Sequence, residues 1–142
     1  MPEIKCVIND TRTGKSYSKA MEDAIFLGRK LGDKVAGSTL GLTGYELELT
    51  GGSDTAGIPM LKSLDIGGRK RIILRKGFGL RTRKKKSLPK QVIRRRSLRG
   101  NQVNQFTAQL NLKIVNYGTK SVEELWNIQP KEQSAPAEQK IE

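Results

Sequence analysis

Between residues 66 and 122 the sequence contains no Asp or Glu, yet this stretch carries 17 of the chain's 27 Lys and Arg. A cluster of like charges repels itself, so it is costly unless a polyanion screens it. Residues 1–65 carry 8 basic and 9 acidic groups, and residues 123–142 carry 2 and 5. The net charge of +13 therefore arises in one segment. A cation cluster of this density calls for a polyanion to screen it, and nucleic acid is the polyanion that fits.

Part of the chain is then expected to stand outside the core. At 142 residues there is room for one ordinary domain, and with 35% apolar and 5% aromatic residues that core is small. No run of about 18 apolar residues is present, so no transmembrane helix is expected. Met1-Pro2-Glu3 does not open a secretory signal. Cys6 is the single cysteine, which rules out an intrachain disulfide and suits a cytosolic setting. It alternates with Ile4 and Ile8, which predicts a small buried strand residue rather than a reactive thiol. Histidine is absent, so Ser-His and Cys-His nucleophile pairs and His-based metal sites are excluded together. None of the 14 acids stands in a recognisable catalytic arrangement. No enzyme activity, cofactor, metal site or small-molecule substrate is expected.

Alternation locates the strands. Residues 2–8 place Ile4, Cys6 and Ile8 on one side, and residues 10–14 supply turn chemistry for a hairpin with 15–19. Ser18 reads as the cap of a short helix over 20–27, with Glu22 and Asp23 in its first turn and Gly28 at its end. Tyr45, Leu47 and Leu49 alternate with Glu46, Glu48 and Thr50, and residues 71–74 read as a further strand. The longest alternating run is 106–115, with Ala108, Leu110, Leu112 and Ile114 on one face. Ser121-x-x-Glu124 is a capping box for a single helical turn over 122–126. Residues 127–142 are polar, contain Pro130 and Pro136, and read as a disordered tail. The fold class expected is mostly β: a small antiparallel β-barrel with one or two short helices and a long basic extension. The body would comprise 1–74 and 101–126, and the extension 75–100.

Two segments invite a chemical reading. Residues 50–60, Thr-Gly-Gly-Ser-Asp-Thr-Ala-Gly-Ile-Pro-Met, are glycine-rich, but Ile58 and Pro59 follow Gly57 where a phosphate-binding loop needs Lys and Ser or Thr. Gly51, Gly52, Asp54, Gly57 and Pro59 are therefore read as a structural loop braced by the Asp54 side chain. Positive φ is the expected requirement at Gly52. The second segment is the basic one. Arg69, Lys70, Arg71, Arg75, Lys76, Arg81, Arg83, Lys84, Lys85, Lys86, Lys90, Arg94, Arg95, Arg96 and Arg99 are the candidate RNA-binding residues, and 9 of these 15 are Arg. Neutralising phosphates releases counterions, and the guanidinium fork takes two phosphate oxygens or stacks on bases. An anionic membrane prefers an amphipathic helix with bulky anchors, a pattern that Phe78, Leu80, Leu88 and Ile93 do not form. A small body with a long basic extension suits a structural component threaded into folded RNA. A free nucleic-acid-binding or translation-associated factor is the alternative.

Residues 50–60 closely resemble the Gly-Gly-x-Asp-x-x-Gly-Phe-Pro-Met signature of the eukaryotic-type ribosomal protein six of the small subunit, with Ile58 in place of Phe. Gly68-Arg69-Lys70-Arg71 is similar to the next block of that family. Residues 94–101, Arg-Arg-Arg-Ser-Leu-Arg-Gly-Asn, resemble its basic run ending in Ser/Thr-Val-Arg-Gly, with Leu98 for Val. The resemblance spans 1–126 and implies a β-barrel body, a place in the small ribosomal subunit of the cytoplasm, and small-subunit rRNA and neighbouring ribosomal proteins as partners. The chain lacks the long basic helix and serine-rich tail of eukaryotic members, so it resembles the archaeal short form.

Overall fold

In the computed structural model, residues 3–75, 77–80 and 93–126 are described. They form seven strands, β1 Glu3–Asn9, β2 Ser16–Glu22, β3 Lys34–Ala36, β4 Glu46–Asp54, β5 Arg69–Leu74, β6 Arg94–Arg99 and β7 Thr107–Asn116, and one helical turn, α1 Val122–Leu125. The mostly-β reading holds. Five strands make one sheet in the order β2-β1-β7-β4-β3, and β5 and β6 form a separate two-stranded ribbon. Among the described residues the sheet is open, and no closed barrel forms.

Register puts the apolar faces together. Cys6 lies opposite Leu110 and Ile8 opposite Leu112, while Leu49 and Leu47 face Leu112 and Ile114 from the other side of β7. Facing residues point to the same side of a sheet, so three alternating strands make one apolar surface. Phe26, Leu31, Leu40, Leu42, Met60, Val103 and Val122 join it in the core, with Ile4, Tyr17, Val35 and Tyr45. Cys6 is fully buried there, and burial pushes its thiol up to about 12, so it stays protonated and inert.

Three features differ from the alternation reading. The pairing of β1 with β7 is parallel, making the sheet mixed rather than antiparallel. Periodicity states which face a residue occupies and is silent on strand direction. Second, no helix spans 20–27: β2 runs to Glu22, laddered residue by residue to Glu3, and only Asp23–Ile25 turn as 3-10. Seven consecutive pairings with β1 outweigh the weak cap signal at Ser18.

Third, Gly51, Gly52 and Asp54 are not loop residues but the end of β4, paired with Asn111, Leu110 and Thr107 across two register shifts. Gly52 is absent from the residues with positive φ, so conformational freedom is not its role. A Cβ at Gly52 would lie 2.5 Å from the Gln109 carbonyl oxygen and 3.1 Å from Leu110 and Met60. Glycine is needed because β4 and β7 approach too closely for a side chain. The turn proper starts at Thr55, and Gly57 holds φ 75° and donates its N–H to the Asp54 carbonyl at 2.8 Å.

The predicted helical turn is present. Ser121 caps α1, its hydroxyl accepting from the Glu124 N–H at 3.3 Å. The proposed tail at 127–142 lies outside the described residues.

Candidate nucleic-acid interface

The β5–β6 ribbon grows from the sheet at one point. Arg99 donates its N–H to the Pro59 carbonyl at 3.0 Å, and its own carbonyl accepts from Leu61 at 2.9 Å. The ribbon root is thus laced to the strand-like segment after the glycine-rich turn. Strand register then sets what each ribbon face shows. Lys70, Ile72 and Leu74 lie opposite Leu98, Arg96 and Arg94; Arg69, Arg71 and Ile73 lie opposite Arg99, Ser97 and Arg95. Consecutive residues alternate sides, so Arg94 and Arg96 share one face while Arg95 occupies the other.

Lys70, Arg71, Arg75, Arg94, Arg95 and Arg96 are all exposed. Among the described residues no carboxylate forms an ion pair with any of them. Repulsion along the ribbon is tolerated because solvent reaches these heads. The ribbon has a small apolar support of its own. Leu80 and Leu98 are buried, outside the main core, and Gly79 sits against Leu98 and Leu74, 3.0 and 3.1 Å from where its Cβ would be.

Arg99 departs from the others. It is 2% exposed, as is Asp54, and its Nη1 donates to Asp54 Oδ2. Arg69 Nε donates to the same oxygen at 2.7 Å, and its side chain is half-exposed. The Arg99 Nη2 donates to Asn104 Oδ1, and Asn104 Nδ2 donates to the Gly67 carbonyl at 2.6 Å. Thr55 completes the carboxylate's shell, donating its N–H to Oδ1 at 2.5 Å and its hydroxyl at 2.9 Å. Burial alone would raise the Asp54 carboxyl, but hydrogen bonds from Arg69, Thr55 and Arg99, with the Arg99 charge, hold it well below the usual carboxylate range. A buried charge persists when paired and fully hydrogen-bonded, and Asp54 is both.

The cluster therefore joins two sets that the sequence kept apart. Asp54 is bonded to Thr55 at the start of the glycine-rich turn and to Arg69 and Arg99 at the root of the basic ribbon. A guanidinium 2% exposed and held by Asp54 and Asn104 cannot reach a phosphate, so Arg99 acts as an anchor rather than a contact. Asn104 gave no signal in the sequence; its role follows from the path of the chain after Gly100. Lys76, Arg81, Arg83, Lys84, Lys85, Lys86 and Lys90 lie outside the described residues. Gly51, Gly52 and Pro59 line the route from β4 to the ribbon root.

This arrangement of turn, anchor and ribbon is carried by the same motifs that resemble a known family. The family model for ribosomal protein S6e matches residues 4–127. The chain belongs to the ribosomal protein S6e family. The small ribosomal subunit protein eS6 of Methanococcus maripaludis strain C7 is 38% identical over 116 residues, covering 82% of this chain and 90% of the relative. That of Methanocaldococcus jannaschii is 33% identical over 129 residues, 91% and 95% of the two chains. That of Methanoregula boonei is 34% identical over 144 residues, 99% and 94%. These relatives are archaeal and of similar length, in keeping with the short form. The family match begins at Ile4 on β1 and passes through the ribbon to the residue after Trp126, so it takes in sheet and ribbon alike.

Proposed function

We propose that this chain is a structural constituent of the small ribosomal subunit, in the cytoplasm, held on rRNA by its basic segment and flanked by other ribosomal proteins. The observation that carries the reading is the β5–β6 ribbon: six exposed Lys and Arg, Lys70, Arg71, Arg75, Arg94, Arg95 and Arg96, free of carboxylate partners among the described residues. Family membership and the names of the relatives support the ribosomal setting. The remaining basic residues, Lys76, Arg81, Arg83, Lys84, Lys85, Lys86 and Lys90, extend the same charge along the chain. Arg69 bridges the two roles, half-exposed on one side and bonded to Asp54 on the other.

The mechanism is positioning by a rigid root. Phosphate contacts fix orientation and carry no sequence information themselves, so RNA position is set by where the protein holds its cations. The Asp54–Arg99 pair fixes that place, and fewer degrees of freedom are lost on docking than for a free basic peptide.

A salt titration of binding to small-subunit rRNA tests this. With about 6–10 phosphates neutralised, log K falls against log salt with a slope of roughly −4 to −9. A flat slope refutes the electrostatic account. Sedimentation separates the alternative: a constituent stays with the subunit through a moderate salt wash, and a free translation-associated factor leaves.

A further inference from the structure

Five large apolar side chains are exposed among the described residues, and Phe78 is the one set between two glycines. Phe78 stands in a tight turn between Gly77 and Gly79, at φ 141° and 74°, and is 57% exposed although its ring is among the largest apolar groups of the chain. The turn is held: Gly77 and Leu80 pair as an isolated bridge, and Leu80 is buried beneath it. The ring is thus displayed by an anchored turn. It borders an open groove of about 580 Å³ that, among the described residues, is also lined by Gly57, Pro59, Gly77 and Gly79. That volume lies within the roughly 300–1,000 Å³ of small-ligand sites. A Cβ built at Gly57 or Gly77 would meet nothing within 4 Å among the described residues, so those walls are backbone open to a flat group.

Resting on the rRNA reading above, we propose that this groove takes one unpaired RNA base, stacked on the Phe78 ring. Three observations select that occupant. A planar ring sharing a groove with bare backbone suits a planar, apolar-faced and polar-edged partner. Charge favours RNA: Arg75 is exposed nearby in the chain, and residues 66–122 contain no acid. The nearest carboxylate along the glycine-rich turn, Asp54, is buried and paired with Arg69 and Arg99, so it repels no phosphate from the groove. Specific RNA recognition uses bases splayed from loops and bulges and stacked on aromatic rings, whereas duplex bases are already stacked. The basic ribbon then supplies charge, and Phe78 favours single-stranded over duplex sites.

The test compares the full chain with Phe78→Ala, Phe78→Leu and Phe78→Tyr, each checked for an unchanged melting temperature. The probes are a single-stranded RNA oligonucleotide and a duplex of equal length, at several salt concentrations. The expected result is a loss of roughly 5- to 150-fold in single-strand affinity for Phe78→Ala. The same loss is expected in large part for Phe78→Leu and not for Phe78→Tyr, with salt slopes unchanged and duplex binding unaffected. Wild-type affinity in Phe78→Ala or in Phe78→Leu, or an equal loss on both probes, overturns the stacking role and leaves the groove to a protein neighbour. A wild-type chain with no salt-dependent affinity for either RNA overturns the rRNA reading as well, which separates the two failures.

Discussion

Replacing Asp54 by Asn tests whether the ribbon is anchored by charge. The substitution keeps size and an acceptor oxygen but removes the negative charge between two guanidinium groups. Arg99 is 2% exposed, so its cation would remain buried with no counter-charge. Breaking a buried pair in this way costs about 3–5 kcal/mol. Arg69 adds little, because its side chain is 47% exposed and an exposed pair contributes about 0–1 kcal/mol. Against a total stability of about 5–15 kcal/mol, the variant should be marginal. Urea unfolding followed by the single tryptophan, Trp126, whose indole N–H is bonded to the Leu40 carbonyl at 3.0 Å, measures the loss. The double variant Asp54→Asn with Arg99→Met removes both charges and should recover most of it. Acid gives a second reading. The folded Asp54 carboxyl lies below its ordinary 3.8, so its stabilisation is complete above that pH and is lost as pH falls below about 4. Asp10, Asp65 and Glu123 are also held low and keep a residual acid slope in both proteins, so the wild type should lose stability more steeply than Asp54→Asn. A cost under about 1 kcal/mol for Asp54→Asn, or a double variant as unstable as the sum of the singles, would refute the anchor.

Three other outcomes follow from the same geometry. Gly52→Val should lower the melting temperature by an amount worth more than about 1 kcal/mol, because its Cβ meets the Gln109 carbonyl at 2.5 Å, while RNA affinity per folded molecule is kept. Changing Arg94, Arg95 and Arg96 together to Lys preserves net charge and melting temperature but should lower incorporation into small subunits in a competition assay, since the planar fork is lost; Arg99→Lys should instead lower the melting temperature. Ser121→Ala should cost about 0.5–2 kcal/mol in urea unfolding through loss of the α1 cap.

Much of the architecture was legible because it is a local property. A period of two along Ile4, Cys6 and Ile8, along Tyr45, Leu47 and Leu49, and along Leu110, Leu112 and Ile114 states which side of a strand each residue occupies, whatever its neighbour. The Ser121 cap and the separation of charge are local too, and so was the family signature. Direction and partnership are not. The parallel pairing of β1 with β7 depends on the path of the whole chain between them. The end of β4 looked like a loop, because glycine weakens a strand unless a neighbouring backbone comes too close for a side chain, and only the fold brings Gln109 there. Arg96 and Arg99 belong to one basic run and carry the same charge. One is exposed on the ribbon; the other is buried on Asp54, which stands 45 positions earlier in the chain. Sequence determines the sign of a side chain, but burial and the counter-charge that makes it tolerable come from contacts distant along the chain, and those the tertiary structure alone decided.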